Sequence, residues 1–368
     1  MKVIIITNHF ESNVGYGRFS GDLIKYLKKN KCEVAVICNK SNNNVKDVAQ
    51  FPVLPAALNF KKNFFLSWFY LLKLFKKREE LGSFDAIHCV VESYAFFAYL
   101  LSKFLGVKYF VHVHGSFSIL FFRYKVYGFL QKKAYKNARK IICISNYTKG
   151  KLLNYLKINN LKVVPNGVNL DIFQTNENKK NIAKENIILS VGSFKERKGL
   201  DLLIKSLISV KEKISDIKCY IVGGSGEDSY FQFLVSLAEE SGVKDSVVFL
   251  RNISDNQLID LYLKAKVFVL TTVSDEFNFD GFGMVYLEAN AFGLPVIGSY
   301  DSGAEEAIKD GYSGFLTKAG DTEDIAQKII SLITDNGLRK KISENATEWA
   351  KKLSWDNIAK EYIKTYQE

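Results

Sequence analysis

Short apolar runs alternate with amphipathic stretches along the whole chain. KVIIIT (2–7), EVAVIC (33–38), AIHCVV (86–91), YFVHVH (109–114) and KIICIS (140–145) carry no Asp, Glu, Lys or Arg beyond their first residue. Between them lie segments such as FSGDLIKYLKK (19–29), whose apolar residues recur at helical spacing. The second half repeats the scheme with NIILSVG (186–192), IKCYIVGG (217–224), SVVFLRN (246–252), VFVLTTV (267–273), LPVIGSY (294–300) and a weaker SGFLTK (313–318). Runs that are apolar throughout are strands covered on both faces, and strands separated by helices pair in parallel. The pattern therefore predicts an α/β chain with two Rossmann-like, doubly wound parallel-sheet domains facing across a cleft. QTNENKKNIAKEN (174–186) is polar and aperiodic and reads as the linker. The expected division is 1–173, 185–352 and a last helix within 353–368, near Trp355–Tyr366, packing back on the first domain.

Composition fits two globular domains: 368 residues, 47% hydrophobic, with only 4 Pro. Charge is uneven. Residues 1–180 hold 29 Lys and Arg against 10 Asp and Glu, leaving 22 and 29 for the rest of the chain. No acid stands between Glu92 and Asp171, while 13 Lys or Arg do, which points to an anionic partner for the first half alone. Two stretches there, 59–79 and 117–140, mix aromatic and aliphatic residues with cations such as Lys61, Lys62, Lys73, Lys76, Lys77 and Arg78. Helices of that kind lie in an anionic bilayer interface; the plainer alternative turns the aromatics to the core and the lysines to water. The longest apolar run, Phe64–Leu72, is well short of the ~20 residues that cross a bilayer. Met1-Lys2 runs straight into a strand with no leader pattern, and Cys32, Cys38, Cys89, Cys143 and Cys219 form no CxxC pair. The expectation is a cytoplasmic chain, peripheral on a membrane face, with buried thiols. Helix-turn-helix, zinc and RNA-binding signatures are missing, so nucleic acid is not the expected partner.

The chemistry concentrates in Asp280-Gly281-Phe282-Gly283-Met284-Val285-Tyr286-Leu287-Glu288, closed by Gly293 and Pro295. A helix starting near Gly283 after the strand VFVLTTV presents unsatisfied backbone N–H groups and a positive dipole end, a seat for phosphates. Glu288 lies more than a turn inside and leans back toward that seat, while Asp280 stands just ahead of it.

At this point the sequence resembles the family 4 glycosyltransferases of the GT-B fold. ILSVGSFKERKGLDLLIKSL (188–207), CYIVGGSGED (219–228), SDEFNFDGFGMVYLEANAFGLPVIGSYDSGAEEAI (274–308), ICISNYTKGKL (142–152) and VVPNGVNLDIF (163–173) match landmarks of that family in order, and TNHFESNVGYGRF (7–19) resembles its first-domain glycine-rich loop. The resemblance implies a retaining transfer from a nucleoside diphosphate sugar to a glycan or lipid-linked acceptor. It gives Glu288 the donor ribose, the amides of Gly283, Met284 and Val285 the phosphate and sugar, and Asp280 the sugar hydroxyls. Lys198 grips the diphosphate, with Arg197 and Arg18 as further cations, and His114 faces the reacting sugar. Gly15, Gly17, Ser193, Gly224, Gly281 and Phe282 complete the expected donor contacts. Catalysis is expected from His114, Asp280 and Lys198, without cofactor or metal, because basic groups replace the ion. Two positions depart from the pattern: Asp280 stands where Glu is usual, with Asp275 and Glu276 close by, and Ser193 stands where Arg is frequent. A non-transferring sugar-nucleotide epimerase of the same shape and a nucleotide-sugar or nucleic-acid binding protein are the alternatives. A Rossmann dehydrogenase does not fit, because Gly15 and Gly17 lack the third spaced glycine.

Overall fold

The computed structural model describes residues 1–10, 15–41, 47–57, 66–75, 82–171, 182–224, 226 and 228–368. The chain forms two compact units, Met1–Gly167 with Trp355–Glu368, and Val168–Ser354. Most of the linker expected at 174–186 lies outside the described residues, as do Lys61, Lys62, Lys76, Lys77 and Arg78.

Unit 1 is built on a seven-stranded sheet of β1 (Lys2–Ile6), β2 (Glu33–Cys38), β3 (Ala49–Pro52), β4 (Ala86–Cys89), β5 (Tyr109–Val113), β6 (Lys140–Cys143) and β7 (Leu161–Val163). Every pairing is parallel, in the order β3-β2-β1-β4-β5-β6-β7. Val3, Ile4, Ile5 and Ile6 are all 0% exposed, as a strand with helices on both faces requires. The covering helices are α1 (Gly15–Lys29), α2 (Ser67–Phe75), α3 (Ala95–Leu105), α4 (Phe117–Leu120), α5 (Lys125–Asn137) and α6 (Asn146–Leu153). Unit 2 repeats the winding in six parallel strands. These are β8 (Ile187–Val191), β9 (Lys218–Val222), β10 (Val247–Leu250), β11 (Val267–Val269), β12 (Val296–Ser299) and β13 (Gly314–Thr317), in the order β10-β9-β8-β11-β12-β13. Its helices are α7 (Leu200–Lys213), α8 (Asp228–Glu240), α9 (Asp255–Lys264), α10 (Met284–Ala291), α11 (Ala304–Ala307), α12 (Thr322–Thr334) and α13 (Asn336–Lys352). The strand order reverses between β1 and β4 in unit 1 and between β8 and β11 in unit 2, and ligands of doubly wound sheets sit at the carboxyl ends of such switch points.

The last helix, α14 (Trp355–Gln367), belongs to unit 1. Trp355 is 0% exposed, with its ring edge-on to Phe19 at 5.3 Å. Gly167 is a glycine because a Cβ there would stand 2.7 Å from the Trp355 ring. Asp356 pairs with Lys29 at 2.5 Å, and the Glu368 carboxylate meets Lys162 at 2.5 Å. All five cysteines are buried and unpaired. Among the described residues no helix is long and apolar enough to cross a membrane.

Candidate active site

In unit 2 the switch point gathers the loops after β8 and β11. The chain leaves β8 through Gly192 and Ser193, makes a single turn over Glu196–Lys198, and enters α7 at Gly199. Gly199 has φ +60°, and a Cβ would fall 1.9 Å from the Thr271 carbonyl oxygen just past β11. That contact fixes the Glu196–Lys198 turn beside the β11 loop. The glycine-rich turn after β9 is packed the same way: a Cβ on Gly223 would meet the Gly192 carbonyl at 2.5 Å, and one on Gly226 the Phe194 carbonyl at 2.4 Å. Gly224, between them, is exposed and meets only Asn252 Oδ1, at 3.5 Å.

The β11 loop ends at α10. Gly283, at φ +87°, is its N-cap and contributes no side-chain cap, so the first-turn amides of Gly283, Met284 and Val285 are left without one, and these three residues are half-buried. A Cβ on Gly283 would stand 2.5 Å from the Tyr286 ring, and that ring is pinned by the hydrogen bond Tyr286 donates to the Leu270 carbonyl. Phe282 is 1% exposed and packs inward, so what it offers a ligand is backbone. Gly281 lies against Gly303, where a Cβ would reach the Gly281 carbonyl carbon at 2.1 Å; the Gly303 N–H donates to the Asp280 carbonyl at 3.1 Å. Glu288, further along α10, is buried.

Arg197 and Lys198 both reach the Asp280 carboxylate, one on each oxygen. Burial pushes that carboxyl up, but Lys198 and then Arg197 outweigh it and hold Asp280 below the usual carboxylate range. Two cations on one anion, next to an uncapped helix start, leave a net positive corner. Asp275 plays a different part: its Oδ1 accepts from the N–H groups of Phe277 and Asn278 at 2.7 and 2.6 Å, which builds the loop itself. Asp280 is thus the acid of this segment that the structure brings to the cations. Among the described residues no group of His, Cys, Asp or Glu is arranged to hold a metal ion.

In unit 1, Gly15 opens α1 at φ +58° with open space around it, whereas Gly17 is buried in the first turn. His114 ends β5 and is half-buried. A hydrogen bond to the Val90 backbone orients its ring, and burial lowers its pKa to about 3, so it is a neutral imidazole. It heads a stack of three: His114 lies 4.1 Å from His112 at 12°, and His112 lies 5.5 Å from His88 at 14°. Burial lowers His88 to about 3 and His112 well below its ordinary value. His88 Nδ1 meets the Tyr366 hydroxyl at 2.5 Å. Beside the stack is Glu92, 0% exposed, which the sequence reading did not single out. Its Oε1 accepts from the His114 backbone N–H and its Oε2 from the Tyr16 hydroxyl, each at 2.7 Å, and burial pushes its carboxyl up to about 7. An acid just past the carboxyl end of a fully apolar strand is the signal that could have found it.

The two halves match two family descriptions. Residues 15–172 match "Glycosyltransferase Family 4", and residues 172–349 match "Glycosyl transferases group 1". The chain belongs to glycosyltransferase family 4. Like the family it is a glycosyltransferase enzyme, and it has the GT-B fold. It is 27% identical to an uncharacterised glycosyltransferase of Methanocaldococcus jannaschii over 100% of this chain and 98% of that one. It is 29% identical to the capsular polysaccharide biosynthesis glycosyltransferase CapM of Staphylococcus aureus over 66% of each chain. Among solved structures, the Anabaena HepE in complex with UDP and glucose superposes with a TM-score of 0.77 at 18% identity, covering 100% of this chain and 99% of that one.

Proposed function

We propose that this glycosyltransferase moves a sugar from a nucleoside diphosphate sugar onto a glycan or lipid-linked acceptor, with retention, in the assembly of a surface polysaccharide or glycolipid. The observation that carries the reading is the meeting of Arg197, Lys198 and Asp280 beside the uncapped start of α10. The departing group is a diphosphate, so the chief demand is for positive charge fixed in advance where the leaving oxygen becomes anionic. Lys198, Arg197 and the Gly283–Val285 amides supply it without a metal ion. Glu288 takes the ribose hydroxyls and Asp280 those of the sugar. The bond from the anomeric carbon to the phosphate oxygen breaks on the face where the acceptor oxygen bonds, and the acceptor's proton passes to the departing phosphate. His114, held neutral, lines the reacting sugar as a hydrogen-bonding group. The printed functions of CapM and the UDP-bound HepE support the polymer and the nucleotide in this reading.

A thermal-shift series of UDP-, GDP- and ADP-sugars, run in chelator, tests it. One donor raises the midpoint of the parent, and Glu288→Ala abolishes the rise; the anomeric proton of the transfer product then reports retention. No shift from any donor, or one that Glu288→Ala leaves intact, rules the reading out. Dependence on a divalent ion removes its metal-free part, and an inverted product removes retention.

The acceptor is proposed to reach the protein at an anionic membrane, on its cytoplasmic face. Tyr70, Leu71 and Leu74 turn α2 inward, while Trp68 and Leu72 are 66% and 64% exposed. Phe75 meets Phe104 of α3 at 5.5 Å, and both are exposed. Lys73 lies 4.7 Å from the Phe69 ring, which pairs a cation with the apolar face. Co-sedimentation with vesicles containing anionic lipid should fall several-fold in Trp68→Ser/Leu72→Ser; equal sedimentation of parent and variant would end this part of the proposal.

A further inference from the structure

A second cavity, of about 190 Å³, lies wholly within unit 1, and none of the roles above uses it. Asn8 and His9, just past β1, form one wall, and Glu92 and Ser93, just past β4, form the other. Those strands are paired, Ile6 beside Cys89, at the point where the strand order reverses, so the cavity occupies the switch-point position of its sheet. It falls below the ~300–1,000 Å³ of sites for drug-sized molecules, which leaves room for one ring and not for a nucleotide.

Its lining is specific. Ser93 is 6% exposed, and its hydroxyl is buried with no hydrogen-bond partner among the described residues. A buried hydroxyl left unpaired is costly, and a ligand hydroxyl removes that cost. Tyr16 donates its proton to Glu92 and so keeps its own oxygen lone pairs as acceptors. The Glu92 carboxylate, with two bonds already fixed, retains further acceptor capacity. Phe117, 38% exposed, offers an aromatic surface tilted against Tyr16 at 6.4 Å. No Lys or Arg lines the cavity among the described residues, so nothing there selects a phosphate. Carboxylate and hydroxyl acceptors on one side of an aromatic surface suit a neutral ring that has hydroxyls on its rim and C–H bonds on its faces.

The geometry points to an acceptor subsite for a single polyhydroxylated six-membered ring, a sugar or a cyclitol, held by Ser93, Tyr16 and Glu92 against Phe117. It rests on the transferase reading only in calling that ring the acceptor's.

Ligand-observed saturation-transfer NMR on the full chain tests it, with glucose, galactose, mannose, N-acetylglucosamine and myo-inositol as probes. At least one ring receives saturation from the parent, and equally from Glu288→Ala. Ser93→Ala weakens it about 2–10-fold, as one hydrogen bond would, and Phe117→Ala weakens it further. Neither substitution threatens folding, since Ser93 bonds nothing and Phe117 is partly exposed. Because burial pushes Glu92 up to about 7 and its ionised form is the acceptor, affinity rises with pH through neutrality, and Glu92→Gln flattens the rise. No transfer to any probe, or binding indifferent to Ser93, Phe117 and pH, overturns the subsite. Failure here alongside nucleotide-sugar shifts in the thermal series removes only this inference; ring binding without those shifts removes only the transferase reading.

Discussion

A Lys198→Ala enzyme is expected to transfer sugar about 10²–10³-fold more slowly at saturating donor, the usual cost of deleting one fixed electrostatic contact to a developing oxyanion. Lys198 is not an ordinary surface lysine. Its side chain is 15% exposed and its ammonium is fixed on Asp280. The Thr271 carbonyl beneath Gly199 fixes the backbone that carries it. The charge is therefore in place before a donor arrives, which makes it worth more in the transition state than a cation that must first be ordered. Truncation leaves Asp280 with Arg197, so no buried carboxylate is stranded and the 3–5 kcal/mol typical of a broken buried pair does not apply. The companion variant Asp280→Asn separates the roles. It frees both cations, so nucleoside diphosphate binds at least as tightly as to the parent, while transfer still falls because the sugar hydroxyls lose an ionised partner. Unchanged kcat in Lys198→Ala, measured by donor-saturated initial rates, would remove Lys198 from the chemistry.

Much of this arrangement was legible in the chain. Uniformly apolar strands, helical spacing between them and the glycine–proline punctuation at Gly283, Gly293 and Pro295 are local signals, and α10 begins one residue after its glycine cap. The edge strands were not legible. AQFP contains a proline and LKV has three half-buried residues, because an edge strand needs no continuous apolar run. Contacts between distant positions were also hidden. Lys198 and Asp280 are 82 residues apart, and only the adjacency of β8 and β11 unites them. Glu92 looked like the edge of an acid-free stretch; its meaning appears once β4 lies between β1 and β5. The aromatic, basic segment around α2 was ambiguous in sequence because a nine-residue helix there turns some aromatics inward and others out.

Unit 1 is expected to lose about 5 kcal/mol of stability between pH 7.5 and 4.5, more than a third of what a typical domain has. The cause is the imidazole stack. His88, His112 and His114 stay neutral when folded, with pKa values lowered by burial, whereas the unfolded chain protonates near 6.5. A lowered folded pKa gives stability that is present above the unfolded value and lost as pH falls toward the folded one. Over this range the three histidines together cost ~8 kcal/mol. Glu92 acts in the opposite sense: its folded pKa is raised to about 7, so its contribution is largest at low pH and returns ~3 kcal/mol over the same interval. The stack wins because three protons outweigh one. No protonated form is accommodated inside, since the neighbours of the three rings are aromatic, chiefly Phe19, Tyr362 and Tyr366. Urea midpoints followed by calorimetry or fluorescence across the range should fall steeply below pH 6. His112→Gln, which removes one titrating ring, should retain ~2–3 kcal/mol more of its neutral-pH stability at pH 4.5 than the parent does. A midpoint that stays level down to pH 5, or a variant with the parent's slope, would mean that the folded stack takes up protons and that the imidazoles are not held neutral by burial.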